Sequence, residues 1–167
     1  GDLANNLGDD TMQVYTTEPE QITYDIPVYM NDRVRKSVVY FQTVAREAFE
    51  KFLRRSKKYE RMMKDILKHY DMPEVLVYLS MVESGFNPRA YSWARASGLW
   101  QFIASTGRMY DLDRDWWMDE RRDPIKSTHA ACRFLKDLYE KFGSWELAMA
   151  AYNGGPGRVD RTIRKQG

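Results

Sequence analysis

Cysteine, histidine and long apolar runs are all scarce in this chain, and each scarcity removes a class of explanation. A single cysteine, Cys132, excludes an intramolecular disulfide and a cysteine-rich zinc site. Set on an apolar helical face, it reads as a buried, inert thiol and carries no information about compartment. The two histidines, His69 and His129, fall on separate predicted helices without metal-ligand spacing, so neither a metal nor a cofactor is expected. No stretch approaches the roughly 18 consecutive apolar residues of a membrane span. No signal peptide is visible, so an exported protein would be met here in mature or trimmed form. Net charge is only +2, from 26 Lys and Arg against 24 Asp and Glu, too little for a nucleic-acid partner held by phosphate neutralisation. Alternating runs of strand length are missing after residue 31, which leaves an all-α fold.

What is present organises into one domain behind a polar arm. The length, 167 residues, suits a single core and a monomer. Residues 1–30 are rich in Asp, Asn, Thr and Glu without a sustained period and read as an extended arm; the domain proper is expected over 31–167. Val34, Val38, Phe41, Ala45, Phe49 and Phe52 recur at helical steps and predict a first helix with a core-facing stripe. Tyr59, Met62, Met63, Ile66, Leu67 and Tyr70 predict a second, with Ser56 as its cap. Pro73 and Glu74 open a third through "VLVYLSMVES", which Gly85 stops. A helix is expected over "GLWQFIAST" from a Ser97-Gly98 start to about Gly107. Asp123 and Pro124 open a long helix with Ile125, Cys132, Leu135, Leu138 and Phe142 inward and Gly143 as its stop; Ser144 begins another, and Pro156 a last short one. Aromatic residues make up 14% of the chain, and Tyr91, Trp93, Trp116 and Trp117 lie in loop-like stretches. Flat rings suit stacking on sugars, although most aromatics fill cores.

Glu83 ends the apolar third helix just before Gly85. At the edge of a core, desolvation disfavours a charged carboxylate, which suits a general acid; an ordinary helix-end carboxylate in water is the plainer alternative. Three spaced segments weigh against the plainer alternative. "ESGFNP" at 83–88, "ASGLWQ" at 96–101 and "AYNGG" at 151–155, with "IASTGRMYDL", "DERRDP", "STHAA" and "GRV" between and after them, together resemble the lytic transglycosylase family with its goose-type lysozyme-like fold. The resemblance is closer to the membrane-bound lytic murein transglycosylase D subgroup and covers roughly residues 31–163.

The resemblance implies a glycan-binding cleft in which Glu83 acts as acid and then base on the bond between N-acetylmuramic acid and N-acetylglucosamine. It further implies that the muramic acid N-acetyl group attacks the anomeric carbon and that the 6-hydroxyl closes a 1,6-anhydro ring, so no second carboxylate is needed. Gln101 would bind sugar, or else cap a helix. Ser92 would place a hydroxyl near the acid, or else make a local turn. Tyr152 would hold Glu83 through its hydroxyl, or else fill the core; Asn153 would bind sugar, or else satisfy backbone at the following glycines. Trp100 stands where the family motif often has methionine, with an expected effect on pocket shape. The chain ends where the subgroup's sequences usually continue, so one wall of the cleft is expected to be incomplete.

Other readings stay open at this stage. Asp111, Asp113 and Asp115 imitate the start of a calcium loop, but Trp116 replaces the turn glycine and Arg122 the bidentate glutamate, leaving a charged loop beside the cleft. A hydrolytic lysozyme of the same fold would use Asp111, Asp113, Asp115 or Asp119 to activate water. A non-catalytic peptidoglycan-binding module is a third reading. Peptidoglycan strands as partner imply a periplasmic or cell-envelope location, with an outer-membrane lipid anchor as one form.

Overall fold

The computed structural model describes residues 25–166, so 1–24 of the expected arm lie outside the described residues. Among the described residues, seven α-helices follow one another: α1 Asp32–Gln42, α2 Arg46–His69, α3 Val77–Ser84, α4 Ala104–Met109, α5 Pro124–Phe142, α6 Trp145–Gly154 and α7 Pro156–Gln166. Single 3-10 turns at Glu74–Leu76 and Glu120–Arg122 lead into α3 and α5. Among the described residues, extended pairing is limited to isolated bridges between Tyr91 and Ser97, Ser97 and Phe102, and Arg114 and Asp119. The fold is all-α.

Local chemistry sets several boundaries. The Asp123 carboxylate accepts from the amides of Ile125 and Lys126 at 2.9 and 2.8 Å, with Pro124 at the first helical position of α5. Gly143 then takes the left-handed conformation at φ 74° that ends the helix. Ser144 caps α6 through the Leu147 amide, and Asn31 caps α1 through Val34. Asp25, from the arm, accepts from the amide of Glu74 at 2.8 Å, and its neighbour Ile26 is buried in the core.

α5 lies at the centre, packed by α2 on one side and α6 on the other, with α7 beyond α6. Met63, Leu67, Leu76, Val77, Phe86, Leu99, Trp100 and Leu135 form the main core, and Leu138, Ala148, Ala151 and Val159 a smaller cluster under α6 and α7. Cys132 is fully buried and free, and burial pushes its thiol up to about 12. Tyr70 meets His129 Nδ1 at 3.1 Å through its hydroxyl and packs edge-on to both His69 and His129.

Five expectations are corrected. The first helix does not run through Phe52: it ends at Gln42, the Thr43 hydroxyl turns back onto Val39 O, and the Ala45 amide reaches Tyr40 O across a wider turn before α2 starts. Its stripe is not core either, because no residue of α1 is buried. Ser56 is not a cap but a buried residue inside α2, its hydroxyl donating to Leu53 O one turn back. The helix expected from Ser97 begins only at Ala104, since Gly98 and Gln101 both take positive φ, 86° and 51°. Ile125 points outward and is exposed.

Candidate active site

Glu83 is placed by an unusual pair of serines. α3 is apolar except for Ser80, Glu83 and Ser84, and the two serines lie one helical turn apart on one face. Ser80 Oγ and Ser84 Oγ both donate to Leu99 O, at 2.9 and 2.8 Å, and Ser84 Oγ also accepts from the Asn87 amide. Gly85 ends the helix in the left-handed region at φ 60°, with its amide on Met81 O; a Cβ there would stand 2.3 Å from the Phe52 ring. Helix end and following loop are thereby tied to the segment 97–103, with Glu83 half-buried between them.

Glu83 opens onto a cavity of about 600 Å³ whose other walls include Ser92, Gln101, Phe102, Thr106, Tyr152 and Asn153. The five residues singled out in the sequence thus meet at one place. Their contacts differ from expectation in detail. Asn153, on the last turn of α6, donates from Nδ2 to Glu83 Oε1 at 3.0 Å. The Tyr152 hydroxyl donates instead to Trp100 O at 2.7 Å, while its ring packs against Trp100, Phe102 and Phe134. Burial, with the Glu83 charge nearby, holds the Tyr152 phenol well above its ordinary value, so it remains a donor at any physiological pH. Gln101 is no helix cap; its Nε2 donates to Gly98 O and Ala90 O at 3.0 and 3.3 Å. Ser92 Oγ accepts from the Ala96 amide at 3.2 Å, closing the loop that forms one rim. Trp100 is fully buried, with Nε1 donating to Thr128 Oγ1 at 2.9 Å, so it shapes the cavity indirectly, through the carbonyl it offers Tyr152 and the packing of its ring against that residue.

The segment behind this cavity rests on Arg121, which is 1% exposed. Its Nη1 donates to Arg95 O and Phe102 O, both at 2.9 Å, while Nε and Nη2 grip Asp119 at 2.8 and 2.7 Å. The guanidinium holds the Asp119 carboxyl below the usual carboxylate range. Gly98 passes so close that a Cβ would lie 1.8 Å from Arg121 O. Arg122 Nε completes the support by donating to Ser97 Oγ at 3.0 Å.

Sequence reasoning passed over Ser80, Ser84 and Arg121. Two serines one turn apart on an otherwise apolar helix were a readable signal, since buried hydroxyls need acceptors. Nothing in "DERRDP" distinguishes the buried Arg121 from its neighbour Arg122. The acidic loop also sits differently from expectation: Asp113 and Asp115 line a separate cavity, Asp111 pairs with Arg133 at 2.7 Å, and Asp119 belongs to Arg121. Among the described residues, no group of three or more His, Cys, Asp or Glu side chains is placed to hold a metal.

The chain is 37% identical over 151 residues to membrane-bound lytic murein transglycosylase D of Escherichia coli (strain K12), a match covering 84% of this chain and 33% of that protein. Over 94 residues it is 42% identical to an Alteromonas sp. (strain M-1) protein whose name refers to tributyltin chloride resistance, covering 56% of this chain and 45% of the relative. Over 101 residues it is 32% identical to soluble lytic murein transglycosylase of Salmonella typhimurium (strain LT2), covering 58% of this chain and 15% of the relative. The chain therefore spans less than half the length of each of these relatives. The family model for the transglycosylase SLT domain matches residues 61–167, more than half of the chain and the whole of the Glu83 cavity, and the chain belongs to that family.

Proposed function

We propose that this chain is the catalytic domain of a peptidoglycan lytic transglycosylase, cutting between N-acetylmuramic acid and N-acetylglucosamine to leave a 1,6-anhydromuramoyl end. The observation that carries this reading is that Glu83 is the one carboxylate among the described residues lining its cavity. Protonated Glu83 donates to the glycosidic oxygen as the C–O bond breaks, while the carbonyl oxygen of the muramic acid acetamido group bonds to the anomeric carbon. The carboxylate so formed takes the proton of the 6-hydroxyl, whose oxygen displaces the acetamido oxygen and closes the anhydro ring. Asn153 holds Oε1, leaving Oε2 free to carry the proton. Tyr152 fixes the Trp100 carbonyl, and with it the wall carrying Gln101.

A hydrolytic lysozyme is the second reading, and the acidic loop does not favour it. Asp119 is committed to Arg121, Asp111 to Arg133, Asp115 to the amides of Trp117 and Met118, and Asp113 lines a different cavity. The whole protein's partner is taken to be peptidoglycan glycan strands, acted on in the periplasm or cell envelope by a monomer. None of the described helices is long and apolar enough to cross a membrane.

Mass spectrometry of digested sacculi tests the chemistry, because an anhydro product is lighter by one water than a hydrolytic one. Glu83→Gln is expected to lower cleavage by about 10²–10⁴-fold while strand binding persists. Hydrolytic products would overturn the transglycosylase reading, and undiminished behaviour of the variant would leave only a binding module.

A further inference from the structure

The loop after α4 carries aromatic surface that the proposed chemistry does not use. Trp116 and Trp117 are 85% and 81% exposed, and their rings stack at 4.5 Å with 12° between planes. Indoles are the largest hydrophobic side chains, and leaving two in water forfeits the burial that normally places them in a core or an interface. The loop is nevertheless firmly built. Asp115 Oδ1 accepts from the amides of Trp117 and Met118, both at 2.7 Å, and the Asp115 amide closes on Met118 O at 2.9 Å. Glu120 donates from its amide to Asp113 O, and Asp119 at the loop's base is gripped by buried Arg121. The arginine that supports the Glu83 cavity thus supports this pair as well.

Trp116 forms one wall of a second cavity, about 470 Å³, shared with Ala104, Arg108, Asp113 and Arg114. Helix α4 separates the two cavities: Ile103 and Thr106 line the one with Glu83, Ala104 and Arg108 the other. A helix with its side chains is about 10–12 Å across, so the two lie one helix width apart. Among the described residues, Arg108 and Arg114 take part in no salt bridge. An exposed flat ring pair beside unpaired guanidinium groups and a carboxylate matches a sugar, whose C–H face stacks on an aromatic ring and whose hydroxyl and acetamido groups bond to charged side chains.

We propose that Trp116, Trp117 and this cavity form a second glycan-binding site, which holds the peptidoglycan strand some sugars away from the bond being cut. This rests on the transglycosylase reading and assigns to it a residue pair that discriminates polymer from short substrate. The site would take a pyranose ring stacked on the outer indole, with Arg108, Asp113 and Arg114 on its polar edge.

The test compares the intact chain with the double variant Trp116→Ala/Trp117→Ala on two substrates, long peptide-free glycan strands and a tetrasaccharide of alternating N-acetylglucosamine and N-acetylmuramic acid. The ratio of turnover on strands to turnover on tetrasaccharide is expected to fall about tenfold, the scale of one lost aromatic contact, and to recover in part with phenylalanine at both positions. Co-sedimentation of the protein with insoluble strands is expected to weaken by a similar factor, in the Glu83→Gln background as in the parent. An unchanged ratio with unchanged sedimentation would overturn the proposal, as would an equal loss on both substrates. Should the double variant melt early, Trp116→Ala alone carries the same comparison. Because sedimentation needs no turnover, failure of the transglycosylase chemistry would show separately, as absent anhydro product with strand binding still dependent on the tryptophans.

Discussion

Helix α1 is capped, hydrogen-bonded along its length and amphipathic in pattern, yet none of its residues is buried. Residues 96–100 have no regular structure, and every one of them is buried. A helix satisfies most of its backbone internally, so on a surface it asks few hydrogen-bond partners of the rest of the chain. Irregular backbone inside a protein has no such recourse, and each polar group needs its own partner. Segment 96–100 finds those partners in side chains from distant places: Ser80 and Ser84 on Leu99 O, Tyr152 on Trp100 O and Arg122 on Ser97 Oγ, with Arg121 fastening the flanking carbonyls of Arg95 and Phe102. The wall of the Glu83 cavity is the expensive part of the fold, and α1 the cheap part.

Removing Arg121 should produce the largest effect on that contrast. Arg121→Ala takes the counter-ion from the Asp119 carboxylate, leaves Arg95 O without its guanidinium donor and leaves Phe102 O with the Ser97 amide alone, and truncation of one partner in a buried charged pair costs about 3–5 kcal/mol. Denaturant unfolding should show this as a lower midpoint, with cleavage reduced because the segment lining the Glu83 cavity loses its support. A midpoint within error of the parent would mean that burial alone orders the segment. Gly98→Ala comes next, expected at about 3 kcal/mol, because it combines a positive φ with a Cβ 1.8 Å from a backbone oxygen that has no room to retreat.

The same contrast explains what could be read in advance. Helix ends carrying their own chemistry were legible: Asp123 with Pro124, Gly143, Ser144 and Gly85 each act through backbone geometry within a few residues. The stretch "GLWQFIAST" was not, because a short apolar run has no period that separates a buried loop from a helix, and the decisive partner, Arg121, lies some twenty residues further on. The α1 stripe misled for the opposite reason, since periodicity reports an amphipathic helix without reporting what covers it. At the candidate site, the five residues were found through motifs, whereas the pairing of Asn153 rather than Tyr152 with Glu83 depends on how α6 ends and had no local signature.

Acid sharpens the comparison further. With its folded-state value depressed by Arg121, Asp119 contributes stability that is fully present above its unfolded value of about 3.9 and is lost as pH falls through the lower folded value. The parent should therefore lose unfolding free energy below about pH 3.9 more steeply than Asp119→Asn, which is already weakened at neutral pH. Parallel pH profiles would place the acid sensitivity elsewhere.

The smallest effect is expected on α1. Val39 and Val44 are 57% and 77% exposed, on and just beyond the helix whose backbone bonds are all local. Replacing both with lysine removes no buried methyl group and breaks no backbone hydrogen bond, so the unfolding free energy should stay within about 0.5 kcal/mol of the parent and the denaturant slope should not change. A loss several times larger would show that this face is covered in solution, and the division between a cheap peripheral helix and an expensive cavity wall would then fail at its cheap end.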